Sequence, residues 1–321
     1  NNLKMKVLQI PFSHAHRLWS FSILKFENNL YFIGVLSIYF CNLILLDSDI
    51  FKYMIKYLNN AFSLDYMGTE KRTYISSGKA KDIYENSNDT LIFEFTDRVT
   101  AFDGKKKSEY HDKGKITCEI AEYWFKVLEN NGIPTHYIEC PTPTSMIVKK
   151  LDIVPVEVIW RNYVAGSLLR RYEAGDIVLP EGAEPKEGSP IPGGMIEFTT
   201  KFEAVDRPVN TDEIISKEWL NEEEIKYLTD LTKRINQIIS QELADSDIIL
   251  ADFKVEYGRT SNGEIILADE VGTPDGCRFW NKDDFEKGVI TSLDKDVFRK
   301  DSGDLTLTYR KLYNNLKKTN M

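Results

Sequence analysis

Between residues 247 and 257 apolar and polar side chains alternate. Phe253, Val255 and Tyr257 fall on one side of the chain, and Asp252, Lys254 and Glu256 on the other. A period of two is the pattern of a strand with one face in a core. Asn262-Gly263 follows, a dipeptide suited to a two-residue type I′ hairpin turn, whose central positions both need positive φ. Such a turn opposes Ser261 to Glu264 and, further along the ladder, Glu256 to Asp269 on the same side. Opposed residues have Cβ atoms about 4.5–5.5 Å apart. Two carboxylates at about 4 Å repel by ~4 kcal/mol at an effective dielectric near 20. A shared proton, the neighbouring Lys254 or a divalent metal would each offset that, and Mg²⁺ suits an all-oxygen site better than zinc. The plain alternative is an exposed hairpin whose acids lie in water. A slip of one residue in register would remove the pairing.

The same patterning predicts the other elements. Residues 73–110 read as short strands, with Leu91 to Phe95 of the buried kind. Ser77-Gly78-Lys79-Ala80-Lys81 is a small-residue turn entering an extended segment, with Lys79 and Lys81 on one face. Glycine lets backbone N–H groups approach an anion there, although this is not the Walker A spacing. Asp97 to Gly104 is expected to be a polar loop with Thr100 and Asp103 at its end, and Lys105, Lys106 and Lys107 a solvated run. Ile116 to Asn130 reads as an amphipathic helix closed by Asn131-Gly132, with Ile116, Ile120, Tyr123, Trp124, Val127 and Leu128 on its stripe. Two strands follow, Ser145 to Lys149 and Val154 to Trp160. The second puts Glu157 and Arg161 opposite Val156, Val158 and Trp160, then meets Gly166-Ser167 and a helix bearing Arg170 and Arg171. Free N–H groups with three guanidinium forks would make an anion pocket; a structural Arg–Glu pair is the alternative. Residues 180–194 read as a loop, followed by Thr199-Thr200-Lys201. Asn221 with Glu224 predicts a capping box for a helix reaching about Leu243. Pro274-Asp275-Gly276 turns the chain to present Arg278, and 304–317 forms the last helix.

Composition narrows the function. The chain of 321 residues carries net charge −9, with a pI of about 5.2, which disfavours a nucleic-acid surface. Its four cysteines (Cys41, Cys118, Cys140, Cys277) form no CxxC pair, so neither a zinc site nor a disulfide framework is indicated, in keeping with a reducing, cytoplasmic setting. Four histidines are too few for chemistry built on histidine clusters. Residues 1–66 differ in kind, rich in Phe, Ile, Leu, Tyr and Asn. Leu30 to Leu46 is a run of 17 residues without a charge, at the lower limit for a membrane span. The preferred reading is that this stretch lies upstream of a start at Met67, so that a chain begun there is soluble and active, with no stable membrane association.

Taken in order, GKAKDIYE, TAFDG, VKKLDIVPVEVIWRNYVAGSLLRRY, TTK, DFKVEYG and DEVGTPDGCRFW closely resemble the SAICAR synthetase family of purine biosynthesis, from about residue 74 to 312. The resemblance implies an ATP-dependent ligase joining carboxyaminoimidazole ribonucleotide (CAIR) to L-aspartate through an acyl phosphate. It implies an α+β fold in two lobes: a small antiparallel β lobe over ATP, residues 67–152, and a larger substrate and metal lobe, 153–321. By resemblance Gly78, Lys79 and Lys81 would meet the ATP phosphates, and the Lys149–Leu151 backbone the adenine edge. Glu256 and Asp269 would hold Mg²⁺, and Arg161, Ser167 and Arg278 the ribonucleotide. Thr100, Asp103 and Lys201 would help bind substrate; Lys81, Lys254 and Asp275 would serve catalysis. Two departures stand out: Val205 precedes Asp206 where many members carry histidine, and GTPDG is one residue longer than the common form. A homo-oligomer is left open. The rival readings are a small-molecule kinase using the same ATP groups, and a membrane-anchored nucleotide-binding module without catalysis.

Overall fold

A computed structural model describes residues 6–10, 19–26, 29–33, 72–102 and 104–318. The chain divides into two compact units, residues 1–70 and 71–321. In the first, β1 (Lys6–Ile10), β2 (Trp19–Phe26) and β3 (Asn29–Ile33) form an antiparallel meander in the order β1-β2-β3. Residues 30–33, at the start of the apolar run, are therefore extended rather than helical. Residues 34–46 of that run and Met67 lie outside the described residues, as do Cys41 and Asp103. Among the described residues no helix is long and apolar enough to cross a membrane.

The second unit is α+β and almost wholly antiparallel. Its first sheet has the order β4-β5-β6-β10-β9, built from β4 (Tyr74–Ser77), β5 (Lys81–Ser87), β6 (Thr90–Phe95), β9 (Tyr137–Glu139) and β10 (Ser145–Lys149). The expected loop at 97–104 is instead half of a hairpin: β7 (Arg98–Ala101) pairs with β8 (Lys106–Glu109). Lys106 is not simply solvated, since its Nζ donates to the Phe298 carbonyl at 2.6 Å. The second sheet runs β13-β12-β11-β14-β15, from β11 (Asp152–Tyr163), β12 (Pro190–Thr200), β13 (Pro208–Val209), β14 (Ile248–Arg259) and β15 (Ile265–Ala268), with β16 (Cys277–Asn281) also pairing with β14. The loop expected over 180–194 thus ends early, at Pro190. Short backbone links join the sheets: the His136 N–H donates to the Leu267 carbonyl and the Leu267 N–H to that of Pro134, each at 3.0 Å.

Helix α1 (Lys113–Asn130) buries Ile116, Ile120, Trp124 and Leu128, the stripe its periodicity predicts. It ends in a Schellman motif, with Gly132 at φ 78° and the Ile133 N–H reaching the Leu128 carbonyl at 3.0 Å. Next come α2 (Ser167–Glu173), α3 (Thr211–Ser216) and α4 (Glu222–Glu242). Helix α4 has the expected capping box: Asn221 Oδ1 accepts the Glu224 N–H, and Glu224 Oε2 accepts that of Asn221, each at 2.9 Å. It packs on β11 and β14, covering Phe253, Val255 and Tyr257. Two short helices, α5 (Lys282–Glu286) and α6 (Asp296–Arg299), lead to α7 (Leu305–Lys318), which packs on α1. Strand β14 is buried on both faces: one is core, and the other is the charged surface of the site.

Candidate active site

The polar face of β14 carries Asp252, Lys254 and Glu256 at alternate positions, as the sequence predicts, but its partners differ. The hairpin turn spans Thr260 to Glu264, with the Thr260 N–H bonded to the Glu264 carbonyl at 2.9 Å. Only Gly263 (φ 85°) takes positive φ, so the loop has three residues rather than two. Register moves by one, and Glu256 opposes Ala268, not Asp269. The like-charged pair exists on the other neighbour: Glu157 of β11 opposes Glu256. Lys254 neutralises it, with Nζ 2.7 Å from Glu157 Oε1 and 2.6 Å from Glu256 Oε1. Lys201 pairs with the other Glu256 oxygen, and Thr199 donates to Glu157 Oε2 at 3.0 Å.

Asp269 nevertheless joins this cluster. It lies just past β15 in the left-handed region (φ 61°), and its Oδ1 is 2.8 Å from Lys81 Nζ. Beneath it, buried His136 lies with Nε2 3.1 Å from the Asp269 carbonyl, a contact in which the ring N–H donates. Burial would lower the Lys81 ammonium, but Asp269, Glu270 and Glu256 outweigh it and raise its pKa. Asp269 is held well below the usual carboxylate range: burial opposes this, but Lys81, Lys254 and Lys201 prevail. Four acids (Glu157, Glu256, Asp269, Glu270) thus share three lysines. Glu270, which sequence reasoning missed, lies 3.8 Å from Lys81, and burial raises its pKa. Its Oε2 and the Thr100 Oγ1 are buried without a hydrogen-bond partner within the protein. Lys79 parts from Lys81, against the expected shared face: its side chain is 63% exposed and its Nζ lies 3.8 Å from Asp206. The turn itself closes on one bond, from the Gly78 N–H to the Lys81 carbonyl at 2.8 Å. The Lys149 N–H is likewise engaged, by the His136 carbonyl at 2.7 Å, while Leu151 packs against Gly258, where a Cβ would approach to 2.7 Å.

A second cluster lies further along β14. Asp252 opposes Arg161 on β11 and Arg278 on β16, and Asp252 Oδ2 accepts from both, at 2.9 and 2.7 Å. Arg161 also donates Nε–H to Glu197 at 2.5 Å and Nη2–H to Ser167 Oγ at 3.2 Å. Arg171 completes the Glu197 pair, while Arg170 is exposed. Burial raises the Glu197 pKa, but Arg161 and Arg171 pull it down on balance. Arg278 lies over Gly166, where a Cβ would fall 2.3 Å from Nη2, so only glycine leaves room for the guanidinium. Its Nε donates to Asp296 at 3.2 Å. The expected trio of Arg161, Ser167 and Arg278 is therefore assembled, and the Arg–Glu pair is present with it.

Asp275 turns inward. Fully buried Lys113 pairs with its Oδ2, Tyr309 donates to Oδ1 at 3.0 Å, and Lys295 lies 3.7 Å from that oxygen. Its side chain is 4% exposed, and these contacts anchor the segment between Asp269 and Arg278. Nothing in the run around Lys113 distinguishes a fully buried lysine from the solvated ones.

A family model of SAICAR synthetase matches residues 74–316. The chain is 44% identical to a phosphoribosylaminoimidazole-succinocarboxamide synthase of Coprothermobacter proteolyticus, over 76% of this chain and 97% of that one. It is 41% identical to the synthase of Pyrococcus abyssi, over 74% and 95%. Among solved structures, a SAICAR synthetase in complex with ADP is similar with TM-score 0.67 and 39% identity, over 75% of this chain and 96% of that one. The synthase of Ehrlichia chaffeensis is similar with TM-score 0.69 and 32% identity, over 76% and 98%.

Proposed function

The chain belongs to the SAICAR synthetase family, and from that premise we propose how its buried charge clusters serve the ligase reaction of purine biosynthesis. ATP transfers its γ-phosphoryl group to a carboxylate oxygen of CAIR, releasing ADP. The amine of L-aspartate then attacks the acyl carbon, expels phosphate and loses a proton, which leaves the amide. Such a reaction asks the protein chiefly to position anions and neutralise charge.

The observation that carries this assignment is the set of three lysines shared among four largely buried acids. In this state the ammonium groups neutralise the acids. With nucleotide bound, Lys81, Lys201 and Lys254 lie within reach of phosphate oxygens, and exposed Lys79 adds charge at the rim. Gly78 gives the turn its close backbone approach. The Lys149–Leu151 segment, which joins the two sheets, takes the adenine edge. Arg161, Ser167 and Arg278 hold the ribonucleotide, with Thr100 and Asp103 as further substrate-binding residues.

Glu256 and Asp269 fit magnesium. Both are oxygen donors now held by ammonium groups. Among the described residues no three or more His, Cys, Asp or Glu side chains are grouped to hold a metal alone. Magnesium keeps several waters and is commonly held by one or two carboxylates plus phosphates. When bound there it would neutralise phosphate charge and polarise the γ-phosphoryl group.

The test is phosphate release with each substrate omitted in turn. We expect release only when ATP, CAIR and L-aspartate are all present. Release with an alcohol acceptor alone would point instead to a kinase.

A further inference from the structure

Away from the site, two of the three described cysteines meet. Cys118 on α1 is 1% exposed, Cys140 just after β9 is half-buried, and their sulfurs lie 3.8 Å apart although the residues stand 22 apart in sequence. The surroundings fix this approach. Cys118, Glu122 and Phe125 occupy one stripe of α1 at i, i+4 and i+7. Phe125 stacks on Tyr137 of β9, with centroids 5.6 Å apart and planes at 9°. The Tyr137 hydroxyl donates to Glu122 at 3.1 Å. The helix and the strand are thus pinned on the same side as the two sulfurs. The third, Cys277, is buried in β16.

We propose that Cys118 and Cys140 form a thiol modification site that closes to a disulfide when a low-molecular-weight disulfide is supplied. The half-buried Cys140 reacts first. Its thiolate attacks one sulfur of the oxidant and expels one thiolate, which gives a mixed disulfide. Cys118 then loses its proton and attacks the Cys140 sulfur, releasing the second thiolate. Two protein thiols are oxidised and one oxidant disulfide is reduced to two thiols. The sulfurs must close from 3.8 Å to about 2.05 Å. The contact with Cys140 and then burial hold Cys118 as a thiol, so closure is slow. The bond ties α1 to the segment between β9 and β10. It stiffens the fold without entering the site, because the residues that touch substrate in the account above lie on other elements.

Oxidised glutathione is the probe, followed by alkylation, peptide mapping and thermal melting. A peptide linking Cys118 to Cys140 should appear, with Tm raised by roughly 5 °C, turnover within twofold, and both changes reversed by dithiothreitol. Cys140→Ser should abolish the link and the Tm rise. Free alkylation of both residues after oxidation would overturn the proposal. So would a stable glutathione adduct on Cys140, or a Tm rise that persists in Cys140→Ser.

Discussion

Lys81 lies at the junction of two acids that would otherwise repel each other, and the same economy recurs at Lys254. Removing one acid therefore tests binding more than folding. Glu256→Gln and Asp269→Asn should each lower kcat with Mg·ATP by at least about 100-fold, with far-ultraviolet dichroism unchanged. Near-normal turnover in both would remove the metal assignment. His136 tests the support beneath Asp269. Burial lowers its pKa from 6.5 to about 4, so between those values the unfolded chain binds a proton that the folded chain does not. Stability is then fully present above about pH 6.5 and falls as pH drops toward 4, by up to about 3 kcal/mol. Urea unfolding at pH 7, 5.5 and 4 should show that loss, and His136→Asn should show a smaller one. Individual residues were legible where alternation put them on one face, as with Asp252, Lys254 and Glu256. Lys113 and Glu270 were not, because their partners come from elements remote in sequence.

Glycines separate packing from turn geometry at the level of elements. Gly272 sits at φ 65° with a notional Cβ 2.1 Å from the Trp124 ring, whereas Gly263 at φ 85° has nothing within 4 Å. Gly263→Ala should cost about 1 kcal/mol, the penalty of the left-handed backbone alone. Gly272→Ala should cost about 3 kcal/mol or more, since overpacking adds to it. Equal urea midpoints for the two variants would contradict the close approach of the 271–276 turn to α1. Helices α1 and α4 were readable because a stripe and a cap are local signals. The hairpin register was not: Asn-Gly serves two-residue turns and three-residue loops ending in a left-handed glycine alike, and one residue decides which acids face each other. The strand β7 hid in a polar stretch because its pairing with β8 is what makes it a strand.

For the molecule as a whole, an acidic chain of net charge −9 concentrates its cations where anionic substrates are expected, along one face of β11, β14 and β16 and at the β5 entrance. Motif order carried the family reading, and antiparallel sheets with flanking helices accord with it. The division of residues 71–321 into two lobes remains our proposal for how nucleotide is covered. The lysines, on this account, stand in for the ion and yield to phosphate when the nucleotide arrives. A crystal structure grown with ADP and magnesium measures this directly. It should show the ion about 2.1 Å from oxygens of Glu256 and Asp269, with Lys81 Nζ moved from Asp269 onto a phosphate oxygen. An ion bound elsewhere, with Lys81 still on Asp269, would contradict it.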